Sequence, residues 1–221
     1  MHCSKKIVLD FDGTIFRLFT NYDLSRVVSV IYGILKEYEI GFTLDSDAFD
    51  SFFAIYNSDL EPSVKNELFE TVNEIIVNAE IEALETGIPV DGFFDFIKYC
   101  KENDIELSVA SNNSPECIEA FFDKYCNGSR MVIVGRNGAH PELMKPNTFM
   151  LAEMCKKLNC KKNDIIFVGD NARDYECASA FGCEFIGLTP TEKKKSRMLS
   201  KVSGIEIICD FYELKSILCT R

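Results

Sequence analysis

Two regions of the chain differ in the spacing of their apolar residues. Between residues 20 and 86, apolar side chains recur at three- and four-residue intervals, the spacing of one helical face. Asp23 precedes the first such stretch as a candidate N-cap, and Pro62 stands in the first turn of the last one, which stops near Gly87. We therefore predict an all-helical segment here. Its helices begin near Leu24, Phe49 and Pro62.

The rest of the chain alternates between short apolar runs and helical segments. Such alternation requires crossover connections, and these produce a mostly parallel sheet covered on both faces. We predict an α/β fold, a doubly wound parallel sheet built from residues 1–19 and 87–221, with residues 20–86 inserted as a helical domain. The predicted strands begin near Ile7, Ile105, Met131, Asp164, Glu184 and Ile205.

Charge and composition exclude some classes of function. Acidic residues outnumber basic ones 35 to 24, giving a net charge of -11, which argues against nucleic acid as a partner. The short basic run at residues 193–195 is predicted to be a solvated loop. The 47% hydrophobic content suffices for a core, yet no apolar stretch is long enough for a signal peptide or a membrane span. The surplus of acid is spread along the chain and indicates neither a protein partner nor an oligomeric state.

The cysteines bear on the compartment. The chain has ten of them, without a CxxC pair and at a density below that of a small disulfide scaffold. Reduced thiols are therefore expected. Together with the missing signal peptide and membrane span, they indicate the cytoplasm.

Polar residues follow three of the predicted strands. Asp10 and Asp12 come after the first, Ser111 after the second, and Asp170 after the "DIIFVG" run. The carboxyl ends of parallel strands share one edge of a sheet, where ligands bind at the point of reversed strand order. Carboxylates are hard oxygen ligands suited to Mg²⁺, and the cation would offset their mutual repulsion. Because Mg²⁺ takes its other ligands from water and phosphate oxygens, a phosphoryl compound is the predicted substrate.

These residue types suit phosphoryl transfer through a covalent intermediate. Asp10 could attack phosphorus, while Asp12 protonates the leaving oxygen and later activates water. Charge on the transferring group would be stabilised by Ser111, by the Asn112 backbone and by Lys145.

Four motifs occur in an order that resembles the haloacid dehalogenase superfamily, in its phosphatase branch with a helical cap, such as phosphoglycolate phosphatases. They are "DFDGT" (Asp10, Asp12), "VASNN" (Ser111), "MKPNTF" (Lys145) and "VGDNARD" (Asp170, Asp174). The resemblance implies a Rossmann-like core and an aspartyl-phosphate intermediate on Asp10, with Asp12 as general acid and base. A small phosphorylated metabolite is the implied substrate.

The resemblance also implies a set of metal ligands. Mg²⁺ would be held by the carboxylate of Asp10, the backbone carbonyl of Asp12 and Asp170, with Asp174 in a supporting part. The insert would be a cap that closes over the site and selects the substrate. Arg17 and side chains near Asn21 are candidates to face the leaving group, in a direction that the sequence leaves open.

Other interpretations remain. Each motif alone could be a turn, a helix cap or a solvated lysine; their joint occurrence in order favours a site. A phosphomutase of the same superfamily and a non-catalytic binding or regulatory protein of this fold stay open. Asp12 argues against a dehalogenase, because the members of the superfamily that cleave carbon–halogen bonds do not use an acid/base aspartate two residues after the nucleophile. A phosphonate hydrolase would need a cap lysine, but Lys36 and Lys65 lie on polar helix faces.

Overall fold

The computed structural model describes residues 5–128, 131–200, 202 and 204–220. Nothing is described of the Lys193 side chain. The strands are β1 (Lys6–Leu9), β2 (Phe16–Arg17), β3 (Ile88–Pro89), β4 (Leu107–Ala110), β5 (Val132–Val134), β6 (Ile165–Gly169), β7 (Glu184–Leu188) and β8 (Glu206–Ile208). The helices are α1 (Leu24–Glu37), α2 (Asp50–Tyr56), α3 (Pro62–Ala83), α4 (Phe93–Glu102), α5 (Pro115–Tyr125), α6 (Phe149–Lys157), α7 (Ala172–Phe181), α8 (Glu192–Leu199) and α9 (Phe211–Thr220).

Six parallel strands form the central sheet in the order β5-β4-β1-β6-β7-β8. The chain runs from β1 outward to β5 on one side, then returns to β6 on the other side and runs outward to β8. The order therefore reverses between β1 and β6, which opens a crevice beyond their carboxyl ends. The predicted fold class, a doubly wound parallel sheet with flanking helices, is confirmed.

The three helices predicted for the insert are present. The Asp23 side chain accepts a hydrogen bond from the Ser25 backbone nitrogen and caps α1, and Pro62 begins α3, as the sequence predicts. The short antiparallel pair β2 and β3 was not predicted, because two residues per strand leave no readable alternation. This pair brings the two ends of the insert together, with Arg17 opposite Ile88.

The insert shares a buried core with one face of the sheet. Phe52 of α2 and Val72 of α3 are fully buried in the same apolar cluster as Val8 of β1 and Phe167 of β6. Burial of aromatic and aliphatic side chains of this size contributes about 1.5–3 kcal/mol each. The helices of the insert thus share one apolar cluster with the sheet that carries the strand ends.

One expectation about a helix is wrong. Residues 193–195 lie in α8 rather than in a loop; Thr191 caps that helix, and its Oγ1 accepts a hydrogen bond from the Lys194 backbone nitrogen. In α4, Phe93 and Phe96 are buried, whereas Phe94 is 42% exposed. Of the helices described, none has both the length and the apolar content needed to cross a bilayer.

Candidate active site

The polar residues after β1, β4 and β6 meet around one cavity of about 360 Å³. The cavity lies beyond the carboxyl ends of these strands, at the reversal of strand order. Asp47 and Phe49 of the insert contribute to its wall. The structure brings to this wall all the residues predicted to act in catalysis, phosphate binding or metal binding. They are Asp10, Asp12, Ser111, Asn112, Lys145, Asp170 and Asp174.

Asp10 is held by two donors on one carboxylate oxygen. Its Oδ1 accepts hydrogen bonds from Lys145 Nζ at 2.6 Å and from Ser111 Oγ at 2.8 Å. Lys145 Nζ also donates to Asp174 Oδ1 at 2.7 Å, so the ammonium bridges two carboxylates. Burial alone would favour the neutral amine, but the two carboxylates outweigh it and raise the pKa of Lys145. The lysine is therefore a fixed, buried positive charge.

Asp12 lies in the turn that follows β1 and lines the cavity. Its Oδ1 accepts a hydrogen bond from the Leu18 backbone nitrogen at 2.8 Å. Burial raises the pKa of Asp12 to about 7, with smaller contributions from the nearby carboxylates of Asp170 and Asp10, while the Leu18 bond opposes the rise. A carboxyl group with this pKa can both give and take a proton near neutral pH.

Gly13 allows this turn to close against β6. Its φ of +87° is a left-handed conformation that favours glycine, and a Cβ built there would lie 2.2 Å from Asp170 Oδ2. Any side chain would push Asp170 away from the other acids. The glycine after Asp12 is thus required by the close approach of two strand ends.

The carboxylates fit a divalent cation. Oxygens of Asp10, Asp170 and Asp174 lie within 4.8 Å of one another, and hard oxygen donors are the ligands that Mg²⁺ prefers. The ammonium of Lys194, from α8, lies 2.5 Å from Asp170 Oδ2. Burial raises the pKa of Asp170, and Lys194 opposes that rise. The Lys194 ammonium thus lies where the carboxylates converge and offsets part of their buried negative charge.

A known protein family matches most of the chain. Residues 7–188 match the family model of haloacid dehalogenase-like hydrolases. The chain belongs to this family. No curated protein sequence matches it.

Solved structures of haloacid dehalogenase-like proteins share the fold. A predicted phosphatase from Clostridium acetobutylicum has a TM-score of 0.67 and 16% identity, covering 98% of this chain and 99% of that one. A predicted phosphoglycolate phosphatase from Haemophilus somnus has the same TM-score of 0.67 and 17% identity, over 98% and 99% of the two chains. A hydrolase of the superfamily from Ehrlichia chaffeensis has a TM-score of 0.58 and 18% identity, over 97% and 96%. Sequence identities this low support a shared fold and nothing more.

Within this haloacid dehalogenase-like site, sequence reasoning missed the contribution of α8. Lys194, Arg197 and Met198 line the cavity from one face of that helix, at three- and four-residue spacing. The signal was available in principle, because α8 follows the carboxyl end of β7 and hence starts at the functional edge of the sheet. A lysine in a polar stretch does not by itself indicate that it lies at the functional edge of the sheet.

Arg17 and Asn21 were candidates to face the leaving group. Among the described residues that line the cavity, neither is present. Asn21 donates to the Thr86 carbonyl at 2.9 Å and lines a separate cavity between α1 and α3. The side chains of the insert that do reach the candidate active site are Asp47 and Phe49.

Proposed function

We propose that the protein is a Mg²⁺-dependent phosphatase that hydrolyses a small phosphorylated metabolite through an aspartyl phosphate on Asp10. The observation that carries the proposal is the pair of contacts on Asp10 Oδ1, from Lys145 at 2.6 Å and Ser111 at 2.8 Å. These donors orient the carboxylate and lie where phosphate oxygens would gather. Asp12, with a pKa of about 7, is two residues away along the chain.

In the first step a carboxylate oxygen of Asp10 forms a bond to phosphorus as the bond to the leaving oxygen breaks. The Asp12 carboxylic acid gives its proton to that oxygen, so the leaving group departs as an alcohol. Ser111, the Asn112 backbone and the Lys145 ammonium stabilise charge on the transferring phosphoryl group. The raised pKa of Asp12 keeps a large share of it protonated near neutral pH.

In the second step the Asp12 carboxylate takes a proton from water as that water attacks phosphorus. The bond between Asp10 and phosphorus breaks, and inorganic phosphate is released with both aspartates restored. Asp10, the Asp12 backbone carbonyl and Asp170 would hold Mg²⁺, which supplies positive charge against the phosphoryl oxygens when bound. Asp174 supports the site by anchoring Lys145 at 2.7 Å.

The insert is proposed to act as a cap on this site. Asp47 and Phe49 place side chains of the 20–86 segment in the cavity wall, opposite the strand ends of the core formed by residues 1–19 and 87–221. A lid of this kind excludes water and selects the leaving group. A cytoplasmic location is part of the same proposal, supported by the buried thiols of Cys100, Cys117 and Cys177, which lie outside any disulfide.

Phosphate release from a panel of sugar phosphates, nucleotides, phosphoglycolate and phosphoamino acids tests the proposal, with Mg²⁺ and with a chelator. We expect wild-type protein to release phosphate only with Mg²⁺, and Asp10→Asn to release none. Asp59→Asn is the matched control, because Asp59 is exposed and does not line the cavity.

The alternatives give different results in this assay. A phosphomutase would convert a sugar phosphate to an isomer without releasing phosphate, and a binding protein would retain a phosphate ester unchanged. Turnover by Asp10→Asn at the wild-type rate would overturn the role of Asp10.

A further inference from the structure

A second ionic cluster lies beside the candidate active site and outside the proposed machinery. Arg136, two residues after β5, pairs with Glu80 of α3 at 2.9 Å, and both side chains are fully buried. A buried ion pair is costly to desolvate and is tolerated only when its remaining hydrogen-bonding groups are also satisfied. Here nearly every polar atom of the pair has a partner, and those partners identify what the pair holds.

The insert surrounds the guanidinium. Arg136 Nε donates to Asn73 Oδ1 of α3 at 3.0 Å. The rings of Phe49 and Phe52 lie 5.2 Å and 5.3 Å from the guanidinium carbon, within the range of cation–π attraction. An arginine of the core, from the segment after β5, is thus enclosed by two helices of the insert.

The same two side chains hold the loop between β4 and α5. Arg136 Nη1 donates to the Asn112 carbonyl at 2.8 Å. Glu80 accepts from Asn113 Nδ2 and from the Ser114 backbone nitrogen, each at 3.1 Å. This loop, residues 111–114, contains the proposed phosphate-binding groups Ser111 and Asn112.

The contacts continue from this loop to the nucleophile. The Asn112 side chain exchanges two hydrogen bonds with the Lys145 backbone, accepting at 2.8 Å and donating at 3.1 Å. Lys145 in turn donates to Asp10. An uninterrupted series of bonded groups therefore runs from α3 of the insert to the carboxylate that is proposed to attack phosphorus.

We propose that Arg136 and Glu80 are positioning residues that fix the phosphate-binding loop 111–114 in register with the insert. This inference rests on the proposed function, because the loop is taken to bind phosphate. Neither residue lines the candidate active-site cavity, and the pair acts through the backbone of Asn112 and Ser114. Its role is to keep Ser111 and Lys145 at hydrogen-bonding distance from Asp10.

The sequence contained a signal for Glu80. Leu68, Val72 and Ile76 recur every four residues along the buried face of α3, and Glu80 is the next position of that series. A carboxylate in an apolar stripe must be paired inside the protein. No pattern in the sequence identifies Arg136 as its partner.

Three variants separate positioning from stability. Glu80→Leu with Arg136→Met replaces both charges with apolar side chains of similar volume, a change that often preserves stability. Arg136→Lys keeps the charge but loses the planar fork that reaches Glu80 and the Asn112 carbonyl together. Val72→Ala is the control, since Val72 is fully buried on the same helix and is absent from these contacts.

The inhibition constant for vanadate, a mimic of the transferring phosphoryl group, is measured for each variant well below its melting temperature. We expect it to rise by about tenfold or more in the double variant, because displacement of positioning groups by about 1 Å has large effects. A smaller rise is expected for Arg136→Lys. Val72→Ala should lower the melting temperature and leave the inhibition constant unchanged.

Amide hydrogen exchange of residues 111–114 gives a readout that does not depend on turnover. Faster exchange in Arg136→Lys than in Val72→Ala supports the inference even if the substrate is something other than a phosphate ester. Wild-type inhibition constants and exchange rates in both Arg136 variants would overturn it. Failure of the wild-type protein to bind vanadate at all would instead count against the proposed function.

Discussion

Two ionic clusters lie side by side in this protein, and their charge balance differs. Around the candidate active site, the described carboxylates of Asp10, Asp12, Asp170 and Asp174 face the ammonium groups of Lys145 and Lys194. In the neighbouring cluster, Arg136 and Glu80 form a single pair whose side chains are fully buried. Among these groups the first cluster has a surplus of negative charge beside a cavity, whose wall also includes the exposed Arg173 and Arg197, and the second is neutral as a whole and closed.

The difference in charge balance indicates which cluster takes part in the reaction and which one positions other groups. Burial raises the pKa values of Asp12 and Asp170, with a smaller contribution from the neighbouring carboxylates, and the uncompensated acids create a demand for a cation from outside. A balanced pair satisfies its own hydrogen bonds and makes no such demand. We therefore assign reaction steps to the first cluster and geometry to the second.

Removing the nucleophile should have the largest effect. Asp10→Asn keeps the shape of the side chain and most of its contacts, but an amide does not attack phosphorus. We expect the rate of phosphate release to fall by at least about a thousandfold, as it does when nucleophiles of other enzymes are removed. Steady-state kinetics with Mg²⁺ measure this, and unchanged rates would assign the chemistry elsewhere.

Breaking the balanced pair should be the most damaging change to stability. Glu80→Ala leaves the Arg136 guanidinium buried without its counter-charge, and it strips the Ser114 backbone nitrogen of its acceptor. We expect the free energy of unfolding to fall by about 3–5 kcal/mol, measured by urea denaturation. A loss of unfolding free energy no larger than that of a typical surface substitution would mean that the buried ion pair is not formed in solution.

Neutralising Asp12, one of the surplus carboxylates, should raise the free energy of unfolding rather than lower it. The pKa of Asp12 is about 7 in the folded protein against an ordinary value of 3.8. The folded protein therefore loses stability as pH rises from 4 through 7, because Asp12 holds its proton more tightly when folded than when unfolded. In chelator at pH 8, Asp12→Asn should therefore be more stable than wild type, by up to about 4 kcal/mol. The two proteins should converge at pH 4. Equal stability at both pH values would contradict the raised pKa.

Removing the ammonium of Lys194 should have the smallest effect. This group pairs with Asp170 and is 40% exposed, so water weakens its attraction. Lys194→Met should tighten Mg²⁺ binding by roughly three- to tenfold, because a bound cation no longer competes with the lysine for Asp170. Titration calorimetry with MgCl₂ measures this, and Lys195→Met is the control. Weaker binding in Lys194→Met would show that the lysine helps the metal.

How far the sequence predicts the molecule depends on the kind of element. The sites at the ends of β1, β4 and β6 were predicted because polar residues directly follow apolar runs, and parallel topology brings such ends together. The helix containing Lys194 was taken for a loop because it has few apolar residues to reveal a buried face. The pairing of Arg136 with Glu80 joins positions 56 residues apart, which no local pattern encodes.

The central claim is that Asp10 carries the phosphoryl group, and trapping that group on the protein tests it most directly. With 4-nitrophenyl phosphate the leaving group needs no proton, so Asp12→Asn should complete the first step and stall before the second. Mass spectrometry of the acid-quenched Asp12→Asn protein should then find a phosphoryl group on the peptide that contains Asp10. A phosphoryl group on another residue, or none despite hydrolysis by the wild type, would contradict the account.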